Sequence, residues 1–293
     1  MKLILLFLFV GIAALFITAP AKYMQSFFDG ITVWAYNVLP ALFPFTVLTT
    51  LALKLKPRSK FSVTKTLFGM PCDNEFVMSL LCGYPIGAKA ISDSNADVTT
   101  ATSMCSFCSS AGPIFMVATV GAKLLQNTTA TIILVVTHFL SVLLNGLIYR
   151  RKQKTVNITE TDVQFKPEDF GNTITNSALS IISVGGLIAL FYMLADMIKN
   201  ILPASLSNSL TVSFVIGLLE MTNGVFGICK LTDVATATVL CSTLLALGGT
   251  CVFFQSYAFL GKKKIKAIDV LKMKLSQSAF ATIFSFVLVK IFL

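Results

Sequence analysis

Each half of this chain contains two apolar segments that are interrupted by glycine, proline or polar residues, and the interruptions recur in the same order. The interrupted segments are residues 75–91, 98–126, 208–229 and 232–260. Glycine, proline and small polar side chains inside an apolar run free backbone N–H and C=O groups that lipid cannot satisfy. Such segments must therefore face protein or a watery cavity. The pattern is typical of a transporter binding site.

The composition indicates a protein that crosses the lipid bilayer many times. Hydrophobic residues make up 55% of the 293 residues, charged residues only 12%, and the mean hydropathy is +0.83. The net charge of +10 does not indicate a nucleic-acid partner, because lysine and arginine gather in short stretches between apolar runs. These basic clusters, at residues 54–65, 150–154 and 262–274, predict cytoplasmic loops.

The basic clusters also predict the topology. If the N-terminus is inside and residues 75–91 and 208–229 are re-entrant hairpins, all three clusters are cytoplasmic and the chain makes seven crossings. Residues 24–149 then cross three times beginning outside, and residues 173–293 cross three times beginning inside. We therefore predict an all-α polytopic membrane protein built of two inverted repeats.

Two further segments flank these repeats. Residues 1–22 predict an N-terminal transmembrane helix, and the polar and acidic residues 150–172 predict a cytoplasmic linker. Lys2, the apolar run from Leu3 to Ile17 and the small residues after it also resemble a cleavable signal peptide. We favour a retained helix, because a chain with many later spans needs no separate export signal.

Neither catalytic nor metal chemistry is predicted. The seven cysteines are scattered, and the tight pair Cys105 and Cys108 has no second pair or nearby histidine. His138, the single histidine, lies in an apolar span, where a packing role competes with a role in proton relay. Since the sequence also lacks a nucleophile elbow and a phosphate loop, we expect no enzymatic activity and no cofactor.

The interrupted segments resemble those of the sporulation integral membrane proteins of the YlbJ type, also called SpoVV, which carry nucleoside-recognition Gate domains. The resemblance is carried by Leu42-Phe-Pro-Phe45, Gly83-Tyr-Pro-Ile-Gly-Ala-Lys89, Ser109-Ser-Ala-Gly-Pro-Ile-Phe115, Glu220-Met-Thr-Asn-Gly224 and Gly248-Gly-Thr-Cys-Val-Phe-Phe-Gln255. It implies two Gate-like repeats with re-entrant hairpins and broken helices, distantly like concentrative nucleoside transporters. It also implies export of dipicolinic acid from the mother cell of a sporulating bacterium, in the plasma membrane or the outer forespore membrane.

In the first half the candidate substrate-binding residues follow the two interruptions. The turn residues Gly83, Tyr84, Pro85 and Gly87 either expose backbone groups to a solute or bend the chain. Lys89, just beyond them, either attracts an anion or extends to the cytoplasmic surface. The second interruption, predicted near Gly112, contains Ser106, Ser109, Ser110 and Gly112. Hydroxyls and freed helix-end amides there suit a carboxylate, whereas small residues also suit helix packing.

In the second half Glu220 is the strongest candidate, since a carboxylate inside a membrane segment costs about 2.5–3.5 kcal/mol. It either binds a coupling ion, a proton or sodium, or pairs with a basic residue such as Lys89. The remaining candidates are Asn223, Gly248, Gly249 and Gln255. Their polar groups and freed backbone would bind substrate, and helix packing is the alternative.

We predict a transporter of a small polar or anionic metabolite, with dipicolinic acid as the first choice. A nucleoside is the alternative small-molecule substrate, for which Phe115, Phe253 and Phe254 would stack on the base. A membrane scaffold whose glycines serve only helix packing is the alternative outside transport. The sequence leaves oligomerisation open.

Overall fold

The computed structural model describes residues 2–55, 61–150 and 166–293. It is 85% helical, and its described residues contain no β-strand. In chain order the α-helices are α1 (Lys2–Thr18), α2 (Pro20–Val33), α3 (Leu39–Leu55), α4 (Val63–Phe68), α5 (Asp73–Cys82), α6 (Ile86–Asp93), α7 (Val98–Met104), α8 (Thr128–Ile148), α9 (Pro167–Ile201), α10 (Ala204–Ser207), α11 (Leu210–Leu219), α12 (Met221–Leu231), α13 (Val234–Leu247), α14 (Gly249–Leu260) and α15 (Ala267–Phe292). Two π-helices (Trp34–Val38 and Phe115–Leu125) and a 3₁₀ turn (Gly261–Lys263) complete them.

Several helices are long and apolar enough to cross a membrane, so this is an integral membrane protein. Among the described residues, four candidate spans are α8, α9, α15 and the run Val234–Lys263, which contains α13 and α14. The bent pair α2 and α3 gives a fifth if it is counted as one span. Helix α1 has 17 residues and lies near the lower limit for a span. The predicted seven crossings and inverted repeats stay predictions.

Helices α2 and α3 form the kinked segment that the prolines of residues 24–53 predict. The two parts are bent by 46°, and the bend lies where the α-helix changes to the π-helix Trp34–Val38. Pro40, in the first turn of α3, has no N–H to donate to the carbonyl four residues earlier, which disturbs the helix at this point. Helices α2 and α3 both pack along α9.

The two predicted hairpins are formed by α5 with α6 and by α11 with α12. Helix α5 ends at Gly83, whose φ of 73° and ψ of −168° no other residue type readily adopts. Helix α11 ends one residue before α12 begins, and Glu220 is the residue between them. The hairpins are thus confirmed as interrupted helices rather than straight ones.

The break in the first long segment is larger than predicted. We expected residues 98–126 to be one element broken near Gly112, but α7 ends at Met104 and regular helix resumes as the π-helix that starts at Phe115. The intervening stretch is rich in serine and cysteine, which bond to local carbonyls and so compete with helix formation.

Described parts of the three basic clusters lie at one end of the molecule, here called the basic end. The contacts that gather them are Lys54 with Asp169 (2.8 Å), Arg150 with the Thr66 carbonyl (3.3 Å) and Lys263 with the Ser94 carbonyl (2.6 Å). One hydrophobic cluster, which contains Phe68, Ala96 and Leu260, joins these regions. Lys56, Arg58 and Lys60 of the first cluster, residues 151–154 of the second and most of the predicted linker lie outside the described residues.

Lys274 does not belong to an exposed cytoplasmic cluster, which corrects the prediction for residues 262–274. Helix α15 begins at Ala267, eight residues before the predicted start of the last span. The side chain of Lys274 is only 5% exposed and lies on the helix face that packs against α8 and α13.

Candidate functional site

The first half brings its two helix breaks into main-chain contact. A Cβ atom at Gly83 would lie 2.3 Å from the backbone nitrogen of Gly112. The N–H of Tyr84 donates to the carbonyl of Ser110 at 2.7 Å. Only glycine permits this approach, so the turn of the α5–α6 hairpin is fixed against the non-helical stretch after α7.

The backbone groups freed in that stretch have protein partners. The N–H of Ala111 donates to His138 Nε2 on α8 at 2.9 Å, and the hydroxyl of Ser110 donates to the Ser79 carbonyl at 2.7 Å. His138 must accept at Nε2 and is therefore unprotonated there, which favours the packing interpretation over proton relay. Because every buried backbone group needs a partner, this histidine supports the break.

Ser106 contributes to the same support and not to a ligand site. Its hydroxyl donates to the Ser103 carbonyl at 2.7 Å, and its own carbonyl accepts from Asn145 Nδ2 at 2.8 Å. Gly87 is also a packing residue, since a Cβ there would lie 2.4 Å from the carbonyl oxygen of Cys108. Both residues were predicted to contact substrate, and both lie behind the turn that they hold.

In the second half the hairpin turn is capped by a buried carboxylate. Glu220, only 2% exposed, accepts hydrogen bonds from the N–H of Thr222 at 3.0 Å and of Asn223 at 2.7 Å. These are free N–H groups of the first turn of α12, which need an acceptor. The helix dipole also favours a negative charge at this position.

The second long break packs onto this turn, as in the first half. Gly248 and Gly249 have φ values of 84° and 72°, and a Cβ at Gly249 would lie 2.8 Å from the carbonyl oxygen of Gly217 at the end of α11. The hydroxyl of Thr250 donates to the next carbonyl, that of Leu218, at 2.9 Å. The free carbonyls at the C-terminus of α11 thus receive partners from the break between α13 and α14.

Tyr84 connects the two halves. Its hydroxyl donates to the carbonyl of Leu245 at 2.7 Å, and it lies 3.2 Å from the sulfur of Met221. Leu245 lies in the last turn of α13, where the break at Gly248 leaves carbonyls without helical partners. The turn of the first hairpin therefore completes the hydrogen bonds of the second long break.

A central cavity of about 50 Å³ lies where these breaks meet. Its lining residues are Val38, Leu42, Tyr84, Ala111, Gly112, Phe115, Val184, Ile188, Glu220, Met221, Thr222, Val252 and Gln255. They include four of the predicted site residues: Tyr84, Gly112, Glu220 and Gln255. Since one water needs roughly 10–15 Å³ of such volume, the cavity has room for a few waters in this conformation.

A second, lateral cavity of about 380 Å³ lies between α14 and α15. It is lined by Ser109, Leu218, Leu247, Gly249, Thr250, Val252, Phe253, Phe254, Ser256, Val270, Leu271, Lys274 and Leu275. Two predicted site residues, Ser109 and Gly249, are among them. Val252 borders both cavities, so the lateral cavity and the central cavity adjoin.

Lys274 is the site residue that the sequence prediction missed. Its ammonium group donates to the Ser109 carbonyl at 2.9 Å and to Gln277 Oε1 at 3.0 Å, and it lies 5.3 Å from the centre of the Tyr84 ring. A signal existed in the sequence. Val270, Lys274, Gln277 and Ala281 recur at helical spacing and are all buried, so the buried face of the last span begins before Lys274.

Lys89 and Asn223 lie outside the central cavity, and each takes part in a hydrogen bond to α9. Lys89 Nζ donates to Ser180 Oγ at 2.9 Å, and Lys199 Nζ donates to Asn223 Oδ1 at 3.1 Å. Ser180 and Lys199 are 19 residues apart on α9, which is about 28 Å along the axis. The hairpins are thus attached near opposite ends of one long helix. The alternative pair of Lys89 with Glu220 is not formed.

Lys89 also lines a third cavity, of about 340 Å³, near the basic end. Lys54, Asp93 and Asn176 contribute to the same lining. The amine of Lys89 therefore neither reaches the central cavity nor extends free into water. Pro85 stays in the hairpin turn, and no cavity described above includes it.

One comparison with known proteins gives a relative. The chain is 24% identical, over 332 aligned positions, to the sporulation integral membrane protein YlbJ of Bacillus subtilis (strain 168), covering 96% of this chain and 81% of that protein. No family model and no solved structure matches the chain. The similarity agrees with the resemblance of the interrupted segments. Together with the apolar helices, it describes an integral membrane protein related to YlbJ.

Proposed function

We propose that this protein is a membrane transporter of a small polar or anionic metabolite, and that dipicolinic acid, exported during sporulation, is the first candidate substrate. The observation that carries the proposal is the convergence of four helix breaks on the Tyr84 ring and the central cavity. Glu220 lies buried in that convergence at 2% exposure. Interrupted backbone and a buried carboxylate inside a membrane protein are costly, and they are found mainly where a solute or ion passes.

The substrate proposal draws on the family resemblance, which implies dipicolinic acid. The relative's name adds sporulation and a membrane location and does not name a substrate. The charge pattern suits an anion, because Lys274 lies beside the convergence of breaks and the described residues place no carboxylate within ion-pair distance of it.

The conformation described here is a closed one. The central cavity has room for a few waters, whereas a pyridine dicarboxylate needs several times that volume, so transport requires that hairpin turns move apart. The bonds of Lys89 and Lys199 hold the two hairpins at sites about 28 Å apart on α9. We propose that the two bonds break alternately, so that each hairpin opens the cavity from its own side.

Reconstituted vesicles test the proposal. Purified protein is inserted into sealed vesicles that contain terbium(III), whose luminescence rises when dipicolinate enters. We expect the wild type to exceed protein-free vesicles, and Glu220→Gln to lower the flux roughly tenfold, since it removes one charge-assisted contact. Asp233→Asn, at the exposed N-cap of α13, is the matched control and should leave the flux unchanged.

A panel of competitors identifies the substrate class. Unlabelled pyridine dicarboxylates should reduce the signal, and nucleosides should not. Inhibition by nucleosides with no inhibition by dicarboxylates would instead support the alternative substrate. Wild-type vesicles that transport no member of the panel would refute transport and favour the scaffold.

A further inference from the structure

We propose that the lateral cavity binds the carboxylate group of a small organic anion, with Lys274 as the cationic contact. This inference rests on the proposed function and narrows its substrate to carboxylates with an apolar or aromatic body. Lys274 is buried at 5% exposure in the middle of a membrane protein. A buried ammonium group is retained when an anion or several acceptors compensate for its lost hydration.

The protein supplies Lys274 with neutral acceptors only. Its hydrogen-bond acceptors are the Ser109 carbonyl and the side-chain oxygen of Gln277. Among the described residues the one ion pair is Lys54 with Asp169, at the basic end. An ammonium group has three N–H donors. The positive charge thus has no protein counter-ion in the described part of the chain, and a bound anion would supply one.

Ser256 provides a second, independent observation. Its hydroxyl is buried at 5% exposure, lines the same cavity, and has no hydrogen-bond partner within the described parts of the chain. A buried hydroxyl without a partner is unfavourable, and ligand oxygen atoms commonly satisfy such groups. A carboxylate has two oxygen atoms, one for the ammonium group of Lys274 and one for the hydroxyl of Ser256.

The remaining lining favours an apolar body on the ligand. Leu218, Val252, Phe253 and Val270 face the cavity, whose volume of about 380 Å³ lies in the range of small-molecule sites. An inorganic anion would leave this apolar surface uncovered. Phe254 and Leu275, at the edge of the same cavity, are exposed on the outer surface of the helix bundle. The cavity therefore opens sideways between α14 and α15.

The two cavities differ in charge. Glu220 lines the central cavity and would repel an anion there, whereas Lys274 lines the lateral cavity. The ring of Tyr84 contributes to the lining of the first and is the cation–π partner of the second. An anionic substrate would therefore be held first on the Lys274 side of this ring.

Binding to purified full-length protein tests the inference. The probes are benzoate, pyridine-2,6-dicarboxylate, decanoate and the uncharged pyridine-2,6-dicarboxamide, measured by calorimetry and by the shift in Tm. We expect wild-type protein to bind the carboxylates and not the diamide. Lys274→Gln should weaken binding about 10- to 100-fold, and Ser256→Ala about 3- to 10-fold. Lys272→Gln, at an exposed lysine two residues away, should have no effect.

The probes separate two sources of the carboxylate. Binding of benzoate or the dicarboxylate supports a soluble metabolite. Binding of decanoate alone, if lost in Lys274→Gln, supports the same site with a ligand that enters from the membrane. Folded Lys274→Gln protein that binds as the wild type does, equal binding of the diamide, or no binding of any carboxylate would each overturn the inference.

Two further measurements keep the test decisive. If Lys274→Gln fails to fold, Lys274→Arg, which keeps the charge, should bind and Ser256→Ala should bind more weakly. Unchanged binding by Ser256→Ala then counts against the site. Vesicle flux separates the two proposals: wild-type flux that persists in Lys274→Gln contradicts only this inference. Carboxylate binding that depends on Lys274, without flux, contradicts only transport.

Discussion

The two hairpins solve the same physical problem with different chemistry. Both interrupt a helix inside the membrane protein and must satisfy the backbone groups that the interruption frees. The first hairpin uses neutral groups: Gly83 packs on main chain, and the N–H of Tyr84 donates to a carbonyl. The second uses a buried charge, the carboxylate of Glu220, which accepts two N–H groups.

This difference shows that equivalent positions in a repeated element order need not carry equivalent chemistry. The first half has no acidic or basic residue in its turn, and its charge comes from Lys274 on the last helix of the chain. The second half supplies its own charge within the turn. A negative and a positive group thus approach Tyr84 from different elements, which gives the two cavities opposite electrostatic character.

The largest effect is expected where the first hairpin depends on shape alone. In Gly83→Ala the new Cβ would lie 2.3 Å from the Gly112 nitrogen, and its φ and ψ angles are those that only glycine adopts readily. We expect a loss of about 3 kcal/mol or more in the free energy of unfolding, from strain and overpacking together. The yield of monodisperse protein and its Tm measure this.

Gly186→Ala is the control for that variant. Gly186 lies within α9, and a Cβ there meets nothing within 4 Å. This variant should be as stable as the wild type or slightly more stable, because alanine favours helix. If Gly83→Ala protein unfolded at the wild-type temperature, the contact between the two breaks would be wrong.

The second hairpin should lose stability when its charge is removed. Glu220→Ala leaves two buried N–H groups without an acceptor, at a cost of about 2–3 kcal/mol. Asp233→Ala removes the corresponding acceptor from the exposed N-cap of α13 and should lower Tm less, because water replaces the lost bond. Equal changes in Tm for the two variants would mean that Glu220 is not buried.

A smaller effect is expected at His138, the neutral support of the first break. His138→Leu keeps the approximate volume and leaves the N–H of Ala111 without its acceptor, at a cost of about 1–2 kcal/mol. His138→Gln offers a replacement acceptor and should recover part of the stability. Thermal unfolding of both variants distinguishes this from a packing effect, in which leucine would be tolerated better than glutamine.

The interruptions were predictable from sequence because their causes are local. Glycine and proline act on the backbone at their own positions, so the breaks at Gly83 and Gly248 lie where the sequence indicates. The carboxylate of Glu220 is likewise costly wherever a membrane segment contains it. These signals do not depend on which other helices are nearby.

The partners of those interruptions were not predictable, because they come from distant parts of the chain. His138 bonds a residue 27 positions away, and Lys274 bonds one 165 positions away. In sequence Lys274 follows several exposed lysines, and only the periodicity of α15 distinguishes it from them. Serine at positions 106 and 110 could equally have faced a ligand, and the observed bonds decide that point.

The smallest effect concerns the exposed carboxylate that contrasts with Glu220. The N–H and hydroxyl of Thr236 hold the pKa of Asp233 below its ordinary value. A carboxylate whose folded-state pKa is lowered adds stability above its unfolded pKa of about 3.9, and this contribution is lost as the pH falls through the folded value. We therefore compare Tm at pH 7, 5 and 3 for the wild type and Asp233→Asn. The asparagine still caps the helix but has no charge, so the wild type should be slightly more stable at pH 7 and at pH 5, and the two should converge at pH 3. Since all other groups titrate alike in both proteins, a difference that persists unchanged to pH 3 would mean that the charge of Asp233 does not stabilise α13.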